Sequence, residues 1–278
     1  MTKRFAWLVL ALSALGFAQA TPASASPPTS ARLRVVSFNT AMGLGVKLRS
    51  ERSLAEFFEH EPGLRGAHVL SLQEVCLNDR RQLAWYLRVM QRAHGVWYHY
   101  ADYASTHRGE ACDKGQAIVS AFPIVAAGTL QLRTVGAARS AVWVDLAVQG
   151  PGYERIRVYG LHLSNRAGKN FVPVIRRAEQ ADQVLEHALL FTRRHPEVPV
   201  IVSGDFNTIG TLSEPADREP VVQRFQQYFQ ASQASYAATF VVPYQLDWIF
   251  YAGLTLTWSG SVRSAFSDHY PVAADFRL

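Results

Sequence analysis

The chain has 278 residues, of which 49% are hydrophobic and 18% charged, and a formal net charge of +6. That length is enough for one large domain with a full core. The mild positive balance permits a polyanionic partner without demanding one, and two cysteines cannot make a zinc site alone.

The N-terminus reads as an address. Lys3 and Arg4 precede an apolar run from Phe5 to Phe17, too short to span a bilayer, and Ala18-Gln19-Ala20 gives a small-x-small cleavage site. Residues 1–20 are therefore read as a signal peptide. The Pro-, Ser- and Ala-rich stretch 21–31 reads as a flexible linker, and 32–278 as the domain. Cleavage removes Lys3 and Arg4 and no acid, so 258 residues carrying +4 remain. No other apolar run is long enough to cross a bilayer, so an exported, soluble protein is expected, secreted or periplasmic. In an oxidising compartment Cys76 and Cys112 are expected to form a disulfide, two buried thiols being the alternative.

Leu33 to Asn39 alternates and is β-branched, which predicts a strand delivering Asn39 at its end. A helical stretch around Ser53 to His60 breaks at Pro62-Gly63. His68 to Val75 is a second strand ending near Gln73-Glu74, and a helix is expected from an Asn78 N-cap to about His94. The alternating aromatics from Val96 to Tyr103, Trp97 and His99 among them, read as sheet packing. A polar loop, Ser105 to Lys114, leads to a buried strand at Gly115 to Ser120, followed by a bend at Phe122-Pro123-Ile124. Strands at Ala141 to Val148 and Arg155 to Leu163 flank Gly150-Pro151-Gly152, a hairpin signal, and the second delivers His162. A basic loop at Arg166 to Asn170 precedes a long amphipathic helix from Val174 to about His195.

Val200 to Val202 then predicts a short buried strand ending in Ser203-Gly204-Asp205-Phe206-Asn207. Residues i and i+2 of an extended segment share a side, so Asp205 and Asn207 can face one ligand, and Gly204 lets the backbone turn. Residues 208–239 read as a connecting region with one helix near Val221 to Phe229. Strands follow at Gln245 to Tyr251, Leu254 to Trp258 and Tyr270 to Phe276, with Ser267-Asp268-His269 in the last turn.

Six strand ends thus carry Asn39, Glu74, His162, Asp205 with Asn207, Asp247, and Asp268 with His269. Charged groups at the edge of a core need partners or metals. The set offers oxygen ligands for a hard cation and two imidazoles for proton work. No Gly-x-Ser-x-Gly elbow surrounds Ser37 or Ser203.

With these pieces in order, the chain resembles the endonuclease/exonuclease/phosphatase superfamily, the deoxyribonuclease I-like fold. The matching segments are Ser37-Phe38-Asn39, Leu72-Gln73-Glu74-Val75, Gly115 to Ser120, Leu161-His162-Leu163, Ser203 to Asn207, Leu246 to Phe250 and Ser267-Asp268-His269, spread over residues 32–278. The resemblance implies an α/β fold, a four-layer sandwich of two mixed β-sheets flanked by helices, with the site at one edge. It implies Glu74 as the main ligand of Mg²⁺ (or Mn²⁺), with Asn39 beside it and Asp268 as a further acid near the metal. It implies His269 as general base oriented by Asp247, His162 as a donor to the phosphate, and Asp205 with Asn207 positioning the water and a phosphate oxygen. Gln116 stands where many members have Asn, and Asp113-Lys114 where nucleic-acid-cleaving members often have Tyr.

A secreted, metal-dependent phosphodiesterase is the expectation, with nucleic acid favoured over phospholipid as substrate and a monomer as the working form. Arg139, Arg166, Lys169 and Lys114 are the candidate substrate-binding cations, with Arg108 in the same polar loop as Lys114. The alternatives are a sphingomyelinase-type phospholipase C, which would use protruding apolar loops, and a non-catalytic binding protein on the same fold.

Overall fold

Strand alternation sorts the apolar side chains of this protein into three layers, and the layers define its architecture. The computed structural model describes residues 32–41, 51–76, 80–102, 114–133, 139–165, 174–210, 219–233 and 236–278. In chain order the elements are β1 (Arg32–Asn39), α1 (Glu51–His60), β2 (Val69–Cys76), α2 (Arg80–His94), β3 (Tyr98–Asp102), β4 (Lys114–Ser120), β5 (Ile124–Leu132) and β6 (Arg139–Leu146). There follow β7 (Ile156–His162), α3 (Val174–Arg194), β8 (Val200–Gly210), α4 (Pro220–Gln226), β9 (Gln230–Ala231), β10 (Gln245–Ala252), β11 (Thr255–Ser261) and β12 (Val272–Arg277). One six-stranded sheet runs β11-β12-β1-β2-β4-β3 and the other β5-β6-β7-β8-β10-β9. Each is mixed, with one parallel pair, β1–β2 and β7–β8 respectively.

The two sheets pack face to face through Leu33, Val35, Val69, Ile118, Val142, Val144, Val158, Ile201 and Ile249. The intervening residues point outward. Val36, Phe38, Leu70 and Leu72 pack under α1 and α2, and Tyr159, Leu161, Val200, Val202 and Phe250 under α3 and α4. The result is four layers, as the resemblance implied. Among the described residues, no helix is long and apolar enough to cross a membrane.

Three elements depart from the sequence reading. β5 stands where only a bend was expected, because Ala126-Ala127-Gly128 carries little β-propensity. Gly128 is what Trp143 packs upon: a Cβ there would lie 2.6 Å from the indole. β9 has only two residues, too few to leave a pattern. β8 continues through the expected turn to Gly210. Asn78, Cys112, the stretches 1–31 and 103–113, and the basic loop with Arg166 and Lys169 lie outside the described residues.

Two buried bidentate pairs brace the sheets, Arg34 with Asp275 (2.6 and 2.7 Å) and Arg157 with Asp145 (2.6 and 2.8 Å). Beside the first, His68 accepts the Arg34 N–H at Nδ1 (3.0 Å) and packs against His94 and Phe122. Burial, with His94, Arg32 and Arg34 adding to it, lowers the His68 pKa from 6.5 to about 4. The unfolded chain therefore binds this proton more readily than the folded one between those two values. The neutral ring contributes full stability above pH 6.5 and loses it as pH falls toward 4, by about 3 kcal/mol in all. Urea unfolding should show a smaller drop between pH 7 and pH 4.5 for His68→Asn than for the parent. Equal drops would remove His68 from the acid response.

Candidate active site

The inter-sheet layer changes character toward one end of the sandwich. Valine and isoleucine give way to Ser37, Ser71, Ser203 and Gly160, then to Asn39, His162, Asp205 and Asp247, all on inward-facing strand positions. Strand register explains the gathering. In the parallel pair His162 of β7 lies opposite Asp205 of β8, and in the antiparallel pair Asp205 lies opposite Asp247 of β10. Asn39 arrives from the other sheet and donates Nδ2 to Asp205 Oδ2 (2.9 Å). The site therefore straddles both sheets.

Two carboxylates facing each other across a ladder repel. His269 relieves this: its Nδ1 contacts Asp247 Oδ2 at 2.9 Å and its Nε2 lies 3.7 Å from Asp205 Oδ2. Burial alone would lower the imidazole's pKa, but Asp247 and then Asp205 outweigh it and push His269 up to about 10. Burial and the Asp247 charge raise Asp205 to about 6, against His269, Asn39 and the Asn207 N–H. The last of these donates to Asp205 Oδ1 at 2.8 Å, while Asn207 Nδ2 donates to Leu163 O at 2.9 Å. Asp205, Asp247 and His269 place ligand atoms within 4.8 Å of one another.

Glu74 reaches the site by a different route. Alternation along β2 puts Leu70 and Leu72 outward, so Glu74 should point outward too. Instead β2 shifts register against β4 between Leu72 and Val75, and Glu74 takes φ +53. Bulges of this kind re-aim a side chain beside a site. The carboxylate ends 3.5 Å from Lys114 Nζ and 4.0 Å from His162 Nε2, one-fifth exposed, with no hydrogen bond among the described residues. His162 Nε2 also lies 3.4 Å from Asp205 Oδ2, and its Nδ1 is 3.1 Å from Arg139 Nη1. Burial, then Arg139, His269 and Lys114, hold the His162 pKa well below its ordinary value.

His162, Asp205, Asp247, His269, Asn39 and Glu74 are thus joined in one chain of contacts. Asp268 is adjacent but exposed, its Oδ1 3.3 Å from Ser267 Oγ. Arg139 and Lys114 sit at the reacting centre against His162 and Glu74. The sequence reading gave no role to three positioning residues. Ser267 Oγ lies 2.7 Å from Asn39 O and accepts the His269 N–H (3.0 Å), tying the last turn to β1. Thr239 Oγ1 accepts the N–H groups of Leu246 and Asp247. Phe240 packs edge-on against the His269 ring, centroids 4.9 Å apart. The Ser-x-His spacing hints at the first as a side-chain turn; the others follow only from the long return of the chain to β10.

A family model described as the endonuclease/exonuclease/phosphatase family matches residues 36–269. The chain belongs to that family. An endonuclease/exonuclease/phosphatase from Beutenbergia cavernae superposes with a TM-score of 0.68 at 18% identity, covering 89% of this chain and 72% of that one. The human Nocturnin catalytic domain with bound sulfate gives 0.65 at 20% identity, covering 88% and 94%. A mannosyl-6-phosphatase from Bacteroides thetaiotaomicron gives 0.64 at 19% identity, covering 88% and 100%. At these identities the likeness is one of fold. No curated protein matches by sequence. Members of the endonuclease/exonuclease/phosphatase family are phosphoric ester hydrolases that typically use divalent metals.

Chemically, the arrangement offers a proton acceptor held by a carboxylate, an imidazole aimed at a charged centre, and an open carboxylate for a cation. Those are the parts that phosphoester hydrolysis by an activated water requires.

Proposed function

We propose that this protein is an exported, divalent-metal-dependent phosphodiesterase acting on nucleic acid. The observation that carries the reading is His269, held at Nδ1 by Asp247 with Nε2 turned toward Asp205 at the meeting point of the two sheets. His269 takes the proton of the attacking water, Asp205 with Asn207 orients that water, and the His162 ring donates to a phosphate oxygen as charge builds. The net charge of +4 left after cleavage and the cation Lys114 beside Glu74 are compatible with a polyanionic substrate.

The residues fit a hard cation. Among the described residues the Glu74 carboxylate accepts no hydrogen bond and faces Lys114 at 3.5 Å, and Asn39 turns its amide nitrogen to Asp205 while Oδ1 accepts the Ala41 N–H alone, keeping a lone pair. Glu74 with Asn39, and Asp268 nearby, would hold Mg²⁺ or Mn²⁺. When bound, such an ion supplies Lewis acidity and lowers the proton affinity of the neighbouring His269. The Asp205–Asp247–His269 cluster suits a proton better, because both Asp205 oxygens already accept hydrogen bonds and His269 Nδ1 is taken.

Activity of the purified mature protein should fall more than ~10²-fold in chelator and return with Mg²⁺ or Mn²⁺. Full turnover in verified metal-free enzyme would sink the metal assignment. Assays on DNA, RNA, sphingomyelin and a phosphomonoester choose the substrate. A specific feature supports the phospholipid alternative: Val241, Val242 and Pro243 are exposed, on a turn anchored by the Val241 N–H to Asp268 O (2.9 Å). Preferential cleavage of sphingomyelin would establish that reading in place of the nuclease.

Export also implies the Cys76–Cys112 disulfide, which would close a loop of about 35 residues and contribute on the order of 3–4 kcal/mol. Cys76 ends β2, two residues past Glu74. Thiol titration of the denatured, unreduced protein should count no free thiols. Two per chain would contradict the bond.

A further inference from the structure

A guanidinium, not a carboxylate, stands behind His162. Arg139 opens β6 beside the end of β7, and its Nη1 lies 3.1 Å from His162 Nδ1. Arginine has five N–H donors and no acceptor, and it stays charged in proteins. A hydrogen bond at this distance can therefore run only from Arg139 to the lone pair of Nδ1. The single ring proton must then sit on Nε2, the nitrogen that faces Asp205 Oδ2 at 3.4 Å and Glu74 Oε1 at 4.0 Å.

We infer that Arg139 is a positioning residue that fixes His162 in its Nε2–H tautomer, so that the ring presents one proton to the reacting phosphate and keeps its other nitrogen engaged. The guanidinium is itself placed for this. Its Nε is buried with no hydrogen-bond partner among the described residues, and Glu74 and Asp205 both act on its charge. Among the described residues it makes no ion pair within 4 Å, only the contact to the imidazole lone pair, so the imidazole contact sets its direction. The buried floor beside it is polar: Gln116 Nε2 donates to the carbonyl of Ser140, the residue after Arg139, and the Gln116 Oε1 has no partner among the described residues. This changes the part assigned to Arg139. It acts on substrate through His162, which becomes a hydrogen-bond donor to the phosphate and not the acid that protonates the leaving group, since a ring charged on both nitrogens could not accept from Arg139.

The tautomer stands on geometry alone; its effect on turnover rests on the phosphoesterase reading above, and the two are read separately. Long-range ¹⁵N–¹H correlation spectra of the ¹⁵N-labelled, full-length mature protein, with His162 assigned from its missing signals in His162→Gln, should show Nε2 protonated and Nδ1 bare. A protonated Nδ1 in the unsubstituted protein overturns the inference, with no variant needed. Arg139→Met should give mixed tautomers and lower kcat about 10–100-fold, the range for residues that orient a reacting group. Arg139→Lys, also donor-only, should restore the Nε2–H signature and recover rate. Folded Arg139→Met, judged by unchanged signals from His68 and His94, that keeps both the pure tautomer and the rate overturns the role. If the spectra match expectation while no phosphoester is cleaved by the parent protein, the proposed function fails and the tautomer assignment survives.

Discussion

Replacing His269 with glutamine should lower kcat by roughly 10²–10⁴-fold while leaving the protein folded. The glutamine amide can still donate to Asp247 Oδ2, the contact the imidazole makes at 2.9 Å, but it cannot accept a proton from water. Alanine should behave differently. Asp247 is fully buried, and its Oδ1 already has no hydrogen-bond partner among the described residues. Removing the donor at Oδ2 leaves an uncompensated carboxylate opposite Asp205, a defect that costs about 3–5 kcal/mol. His269→Ala should therefore lose both rate and several degrees of melting temperature, and His269→Gln rate alone. Asp247→Asn acts through the same ring, so combining it with His269→Gln should cost little more rate than His269→Gln by itself. Initial rates and thermal melts on the same preparations check all of this. A well-folded His269→Gln enzyme at near parental rate would dismiss the proposed base.

Gly204→Ala should be among the most damaging single methyl additions to this chain. Gly204 sits one residue before Asp205 at φ +151, and a Cβ there would lie 2.0 Å from Leu161 O and 2.9 Å from Leu161 C. Both are backbone atoms of the neighbouring strand, so relief requires parting β7 from β8, the parallel pair that sets His162 beside Asp205. A loss above 4 kcal/mol is expected, the size reserved for defects with no way to relax. Gly152 is the internal control. Its φ is +84 with nothing near the Cβ position, so Gly152→Ala should cost only the left-handed penalty of about 1–2 kcal/mol. Urea unfolding of the two variants compares them directly. A Gly204→Ala protein within 1 kcal/mol of the parent would mean that the two strands do not meet as closely as described.

Much of this was legible because the relevant physics is local. Leu33 to Asn39 and Arg155 to Leu163 are rich in β-branched and apolar residues, so their strand identity, and the delivery of Asn39 and His162 at their ends, was legible. The turn signal at Gly150-Pro151-Gly152 correctly paired β6 with β7. What stayed hidden was non-local. No pattern in Ile124 to Leu132 announces a strand, because β5 gains its stability from β6 and Trp143. The Asp205–Asp247 repulsion that His269 relieves depends on a register between residues 42 positions apart. Arg139 illustrates the limit most clearly: its sequence position suggests a cation for substrate, and only the placement of β6 against β7 shows it spending that charge on His162.

Glu74 carries a last consequence. Its left-handed backbone at φ +53 costs the fold something that glycine or asparagine would largely avoid. The side chain most exposed to loss is therefore one that thermodynamic drift would readily replace. A lineage selected only to stay folded would shed this glutamate early. A glutamate at a strained position is accounted for by what its side chain does at the site, and any relative of this chain with a relaxed residue at that bulge is a candidate for having retired from catalysis.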